Sequence, residues 1–353
     1  MKNSRRSFVK KTGAAMALGA SGFSFNIISN TEKAPLVIGQ GNFRYKVHKD
    51  WGRQDPAKYP VKDCHEMVQS SDGRLFLLTN ETKNNVLVYD RSGKVLSAWG
   101  HSFPGAHGLT LCKEGDREYL FITDLSLHKV YKTTLDGEVV MTIPYPQESG
   151  LYRLEKQFMP TEVAVAPNGD FFVADGYGLQ YIIKYDAQGN LLKVFGGLGS
   201  GDDLFASRWT AHGVCIDTRN SQDEPKLIVS ARHENLFKWF DLEGNFLYQV
   251  NLPGAYLSRP VIKGGELYTA VLNSEMPWGA SNSGFVSILD KENQVMSNPG
   301  GTAPQYTDGV LQRMKQQEKV FIHPHDVCID GDANIYVCQW NSEKTYPIKL
   351  ERV

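Results

Sequence analysis

Four of the nine histidines in this 353-residue chain stand in short runs of one kind. They are His65 in Cys64-His65-Glu66-Met67-Val68, His107 in Ala106-His107-Gly108-Leu109-Thr110, His212 in Ala211-His212-Gly213-Val214-Cys215 and His325 in Pro324-His325-Asp326-Val327-Cys328. A chain that returns a histidine to the same register of a repeated strand sets those imidazoles on a ring. Neutral imidazole is the commonest metal ligand, and three converging on one ion leave an open position for chemistry. The alternative is a set of strand-edge histidines hydrogen-bonded to backbone.

The elements that must position them form an internal repeat. One unit reads as an apolar strand, an Asp/Asn-Gly turn, a second strand, a polar loop, a third strand ending in Tyr-Asp or Phe-Asp, a Gly turn and a fourth strand. The unit is clearest over residues 161–197, where Asn168-Gly169 joins two short apolar runs and Tyr185-Asp186 ends the third. Asn-Gly between such runs is a strong hairpin signal. Copies begin near His65, His107, Thr161, His212, Ser258 and His325, roughly 40 to 65 residues apart. Four antiparallel strands in each of six units predict an all-β, six-bladed β-propeller. The last unit has room for only three strands, so the segment from Pro35 to Val47 is expected to complete that blade and close the ring. Residues 298–320 read as an insertion with a short helix over 308–319. His107, His212 and His325 fall in alternate blades, a threefold arrangement suited to one ion.

The remaining sequence bounds the function. The net charge of −1 with dispersed basic residues argues against a nucleic-acid partner. Ser4-Arg5-Arg6-Ser7-Phe8 before a weakly apolar stretch reads as a twin-arginine export signal over residues 1–30, which places a propeller over 31–353 in the periplasm or outside the cell. No integral membrane span is expected beyond that signal. The five cysteines form no CxxC pattern, and no essential disulfide is expected.

With these residues in view, the chain resembles the NHL-repeat family and, more closely, the lyase half of the peptidylglycine alpha-amidating enzymes. The resemblance spans most of residues 60–350 and is sharpest over 106–130, 160–177 and 324–328. It implies zinc, or another divalent transition metal, on His107, His212 and His325. It also implies calcium on the carbonyls of Met67 and Leu109 and the carboxylate of Asp326, a catalytic Tyr177 after Asp175-Gly176, and an active-site Arg232. One departure is that the arginine expected in the first blade to face a substrate carboxylate falls on Asn80, beside Glu81. Another is His323, which replaces a methionine. With His65, these residues are expected to contact substrate, and an amide beside a carboxylate suits hydroxyl-rich, sugar-like ligands. Trp209, Trp278 and Trp340 stand near expected loop mouths, where they could stack on a sugar face or pack.

Two readings follow. One is an exported metal-dependent lyase that cleaves a C–N or C–O bond in a peptide-derived or sugar-like substrate, with Tyr177 as base and Arg232 as clamp. The other is a non-catalytic NHL propeller that binds a glycan, a peptide or a partner protein.

Overall fold

In the computed structural model, residues 34–275 and 283–353 are described; the export signal and Trp278 lie outside them. The unit Pro35–Val353 is built from six radial antiparallel sheets. The innermost strands are Cys64–Gln69, Ala106–Glu114, Glu162–Val165, Ala211–Asp217, Leu257–Lys263 and Pro324–Ile329. Each packs against the next, and the sixth packs against the first, so the ring is closed. No described helix is long and apolar enough to cross a membrane.

The Tyr-Asp signature has a local cause. Asp90, Asp186 and Asp241 each end a third strand and accept two backbone N–H groups of the following turn, at 2.8–3.1 Å. Gly93, Gly189 and Gly244 in those turns take φ of 92°, 86° and 78°, a region that only glycine enters cheaply. Carboxylate and glycine together satisfy the turn backbone and set the outer strand's register. Between turns, both faces of the middle strands are apolar, and facing blades pack against each other. Phe172, Val214, Val229 and Phe240, for example, share one buried cluster between blades three and four.

The sixth blade closes as expected, with one strand more. Phe43–His48 pairs with Ile348–Arg352, Val47 opposite Leu350, and Val37–Gln40 then adds a fifth strand outside it. The helix expected over 308–319 is absent. Tyr306–Thr307 instead pairs with Val310–Leu311 around Asp308 and Gly309, whose φ values are 50° and 78°. Asp-Gly at the tip of two short apolar runs makes a tight hairpin, and this local signal outweighs the polar, helix-favouring composition that follows. All five cysteines are unpaired, four of them buried.

Candidate metal centre and active site

At the start of the innermost strands the pairing register slips, between Cys64 and Glu66, Ala106 and Leu109, Ala211 and Val214, Leu257 and Pro260, and Pro324 and Asp326. Regular pleating would send consecutive side chains to opposite faces. A bulge re-aims one of them, so neighbours can serve adjacent levels of the same channel. Two tiers result. The upper holds His65, His107, Thr161, His212, Ser258 and His325; one residue on, the lower holds Glu66, Gly108, Glu162, Gly213, Arg259 and Asp326.

In the upper tier four imidazoles are all but fully buried, between 1% and 4% exposed. His107 lies 4.8 Å from His65 and 4.9 Å from both His212 and His325, centre to centre; His65 to His325 is 4.9 Å and His212 to His325 is 5.2 Å. A carbonyl only accepts, so its partner nitrogen must carry the proton. His107 Nδ1–H therefore donates to Thr161 O (2.9 Å), and His325 Nδ1–H donates to His65 O (3.1 Å). These bonds leave both Nε2 atoms as bare lone pairs. Among the described residues neither has a partner, nor does His65 Nδ1, and all three are buried. One ligand nitrogen from each of His65, His107 and His325 lies within 4.8 Å of the others. Burial holds all four imidazoles well below their usual pKa, and His65 falls to about 3. The set is thus neutral and competent to ligate at physiological pH.

His212, expected as the third metal ligand, is bonded differently, and His65, expected at substrate, stands in the group of three in its place. Arg232 Nη2 donates to its Nδ1 (3.1 Å), and a guanidinium can only donate. The His212 proton therefore sits on Nε2 and points at Tyr177 Oη, 3.2 Å away, while Arg232 Nη1 donates to the same oxygen at 3.3 Å. Tyr177 Oη thus receives two donors. Arg232 is buried, donates through Nε to Leu257 O (2.7 Å) and through Nη2 to Ser258 Oγ (3.2 Å), and has no ion-pair partner among the described residues. Glu234 and Asp217 pair with Lys238 and Arg219 instead. Burial also lowers the pKa of Arg232.

A cavity of about 750 Å³ opens above this tier. Its floor carries His65, His107, Tyr177 and Arg232, and its walls carry Asn80, Met159, Trp209, His233 and Trp340. Lys62 and Arg208 stand on the rim, and among the described residues no carboxylate lines it. Glu81 and His323, both expected at substrate, are not on this wall. Glu81 accepts from Lys83 N, and His323 hydrogen-bonds Asn341 O beside Trp340. His233 is also on the wall.

The arrangement of the lower tier does not fit the calcium expectation. Met67 O, Leu109 O and Asp326 do converge, but on the guanidinium of Arg259. Its Nη1 donates to Leu109 O (2.7 Å), Nη2 to Asp326 Oδ2 (2.8 Å) and Met67 O (3.4 Å), and Nε to Asp326 Oδ1 (3.1 Å). The oxygens that would hold an ion already hold a covalently attached cation. Glu66 and Glu162 approach the same guanidinium at 3.3 and 3.7 Å. Burial drives the Glu66 carboxyl well above its usual range despite Arg259, and lifts Asp326 to about 6. None of Arg259, Glu66 or Glu162 stood out in the linear pattern. Only alignment of the repeats, which reads Glu, Gly, Glu, Gly, Arg, Asp after the histidine position, reveals an acidic ring around one arginine.

Comparison with known proteins follows the same lines. The chain is 39% identical over 278 residues to peptidyl-alpha-hydroxyglycine alpha-amidating lyase 1 of Drosophila melanogaster, covering 71% of this chain and 46% of that protein. It is 27% identical over 265 residues to peptidyl-glycine alpha-amidating monooxygenase A of Xenopus laevis, covering 72% of this chain and 26% of that protein. The chain therefore spans less than half the length of these relatives. A streptogramin B lyase structure superposes with a TM-score of 0.55 at 14% identity, covering 87% of this chain and 97% of the other, a likeness of fold. No protein-family model matches.

Proposed function

We propose, on the premise that this chain is a homologue of the peptidyl-α-hydroxyglycine α-amidating lyases, that it is a metal-dependent lyase for a small carboxylate-bearing substrate. The observation that carries the reading is the trio of buried, unpartnered nitrogens on His65, His107 and His325. Such lone pairs are costly to leave dry, and one divalent cation would satisfy all of them. Zinc suits imidazole donors best, with iron, manganese and nickel compatible. When bound, the ion supplies Lewis-acid polarisation of a substrate oxygen.

The chain's own residues do the rest. Tyr177 Oη, held by Arg232 and His212, takes the proton of a substrate hydroxyl on the carbon that bears the leaving group. As that C–O bond becomes C=O, the neighbouring C–N or C–O bond breaks and its electron pair leaves with the heteroatom. The proton on Tyr177 then passes to the leaving atom, so the base is regenerated. For a hydroxyglycine the products are an amide and glyoxylate. The rim favours an anion: Lys62 and Arg208 face a cavity that no described carboxylate lines, so the cation missing at Asn80 has a substitute close by. This lining supports a carboxylate-bearing substrate over a neutral sugar. The residues around Arg5-Arg6 support export by the twin-arginine route as part of the same reading.

The test is metal analysis of the purified chain together with glyoxylate release from an α-hydroxyglycine-extended peptide. One equivalent of transition metal, with turnover lost in Tyr177→Phe, is the expected outcome. Metal without turnover on any α-hydroxylated acid would favour a binding propeller and sink the lyase reading.

A further inference from the structure

We infer that Arg259 is a tethered cation standing where a metal ion would otherwise pin the propeller hub, and that its removal opens a site for a hard divalent cation. The guanidinium sits on the innermost strand of blade five, 7% exposed, and reaches four other blades. It bonds Met67 O of blade one, Leu109 O of blade two and Asp326 of blade six, and it pairs with Glu162 of blade three. Blade four contributes an absence of side chain. A Cβ on Gly213 would fall 2.6 Å from Arg259 Cα, so the arginine strand can approach this closely only past a glycine.

The ligands are all oxygens: two main-chain carbonyls, a bidentate aspartate and two glutamates. Such a set of six or more oxygens with several negative charges matches what calcium takes from proteins. A guanidinium is planar and has only donors, which lets it satisfy carbonyl and carboxylate oxygens together. The acceptors are also tied to one another. Asp326 Oδ2 accepts from Met67 N (3.0 Å), and Glu66 Oε2 accepts from Leu109 N (2.6 Å). The cradle is therefore a fixed feature of three blades, and its shape does not depend on the arginine alone.

The hub also positions the tier above it. Glu66, Asp326 and Arg259 directly follow His65, His325 and Ser258, and Glu162 follows Thr161, whose carbonyl orients His107. Arg259 acts on the candidate active site through these neighbours and is a positioning residue.

The experiment uses the full chain in calcium-free buffer with its transition-metal content recorded. Calcium alone is titrated into wild type and Arg259→Ala, and binding is read by equilibrium dialysis alongside thermal midpoint. Wild type is expected to bind no calcium and to show no shift. Arg259→Ala should bind one equivalent, and its midpoint should rise by about 4 °C at calcium 100-fold above Kd. Arg259→Ala/Asp326→Asn should lose that gain. If Arg259→Ala does not fold in calcium-free buffer, refolding with calcium but not magnesium is the expected recovery. One equivalent of calcium on wild type, or a folded Arg259→Ala that binds none, overturns the inference. So does an Arg259→Ala that neither ion recovers. None of these readouts depends on turnover, so they stand apart from any failure of the lyase reading.

Discussion

The two tiers of the channel, one residue apart on the same strands, solve the problem of buried polarity in opposite ways. The lower tier carries its own cation, and Arg259 engages its carbonyls and carboxylates. The upper tier is neutral and leaves three nitrogens bare. Buried polar atoms are almost always paired, so a tier that keeps its partners out is built to receive something. The difference separates the two tiers within a few ångströms: the hub has its cation built in, while the imidazole tier offers three nitrogens that could hold one.

The strongest way to break this contrast is His107→Ala. It should abolish stoichiometric metal binding and lower turnover by at least about 10³-fold, read by elemental analysis and kcat, because it removes one of three converging ligands. Retained metal would show that the bare nitrogens are not the site. Tyr177→Phe should lower kcat by about 10²- to 10³-fold with metal content and thermal midpoint unchanged. A similar loss accompanied by metal release would make the tyrosine a structural partner of His212 and not the base.

Gly213→Ala tests the lower tier. The new methyl collides with the Arg259 backbone and should cost about 1–3 kcal/mol in denaturant unfolding, without altering metal stoichiometry.

The acid response sharpens the comparison further. A histidine with a depressed folded pKa stays neutral while the unfolded chain takes up its proton. Stability of the metal-free protein should therefore fall as pH drops below about 6.5, by about 1.4 kcal/mol per pH unit for each such histidine. For His65 that loss should continue toward pH 3. His65→Phe should flatten the slope by one proton, measured from urea midpoints between pH 7 and 5. An unchanged slope would mean that His65 is protonated in the fold. The smallest effect is expected at the rim, where Lys62→Met should raise KM for a carboxylate-bearing substrate about three- to tenfold and spare kcat.

Much of the fold is legible in the chain because its turns are local. Asn168-Gly169, Asp186 and Gly189 dictate their own geometry, and six copies leave little choice of architecture. The histidines are legible because the repeat returns them to one register. Arg259 is not, because its partners lie as far away as Met67 and Leu109, and nothing beside Ser258 signals a channel-facing cation. Lys62, Arg208 and His233 belong to loops whose path depends on packing between blades. At Asp308-Gly309 the converse holds, since a two-residue turn signal decides the local fold against a helix-favouring composition.

The seam between the last and first blades adds a consequence in time. His325 bonds to His65 across it, Asp326 bonds to Met67, and outside them Phe43–His48 zips onto Ile348–Arg352. Two of the three bare imidazoles thus face each other only after segments some 260 residues apart have met. Such closure is entropically slow, since no local contact precedes it. Metal uptake during refolding should then act as a clock for the final step, silent while individual blades form and switching on as the circle shuts.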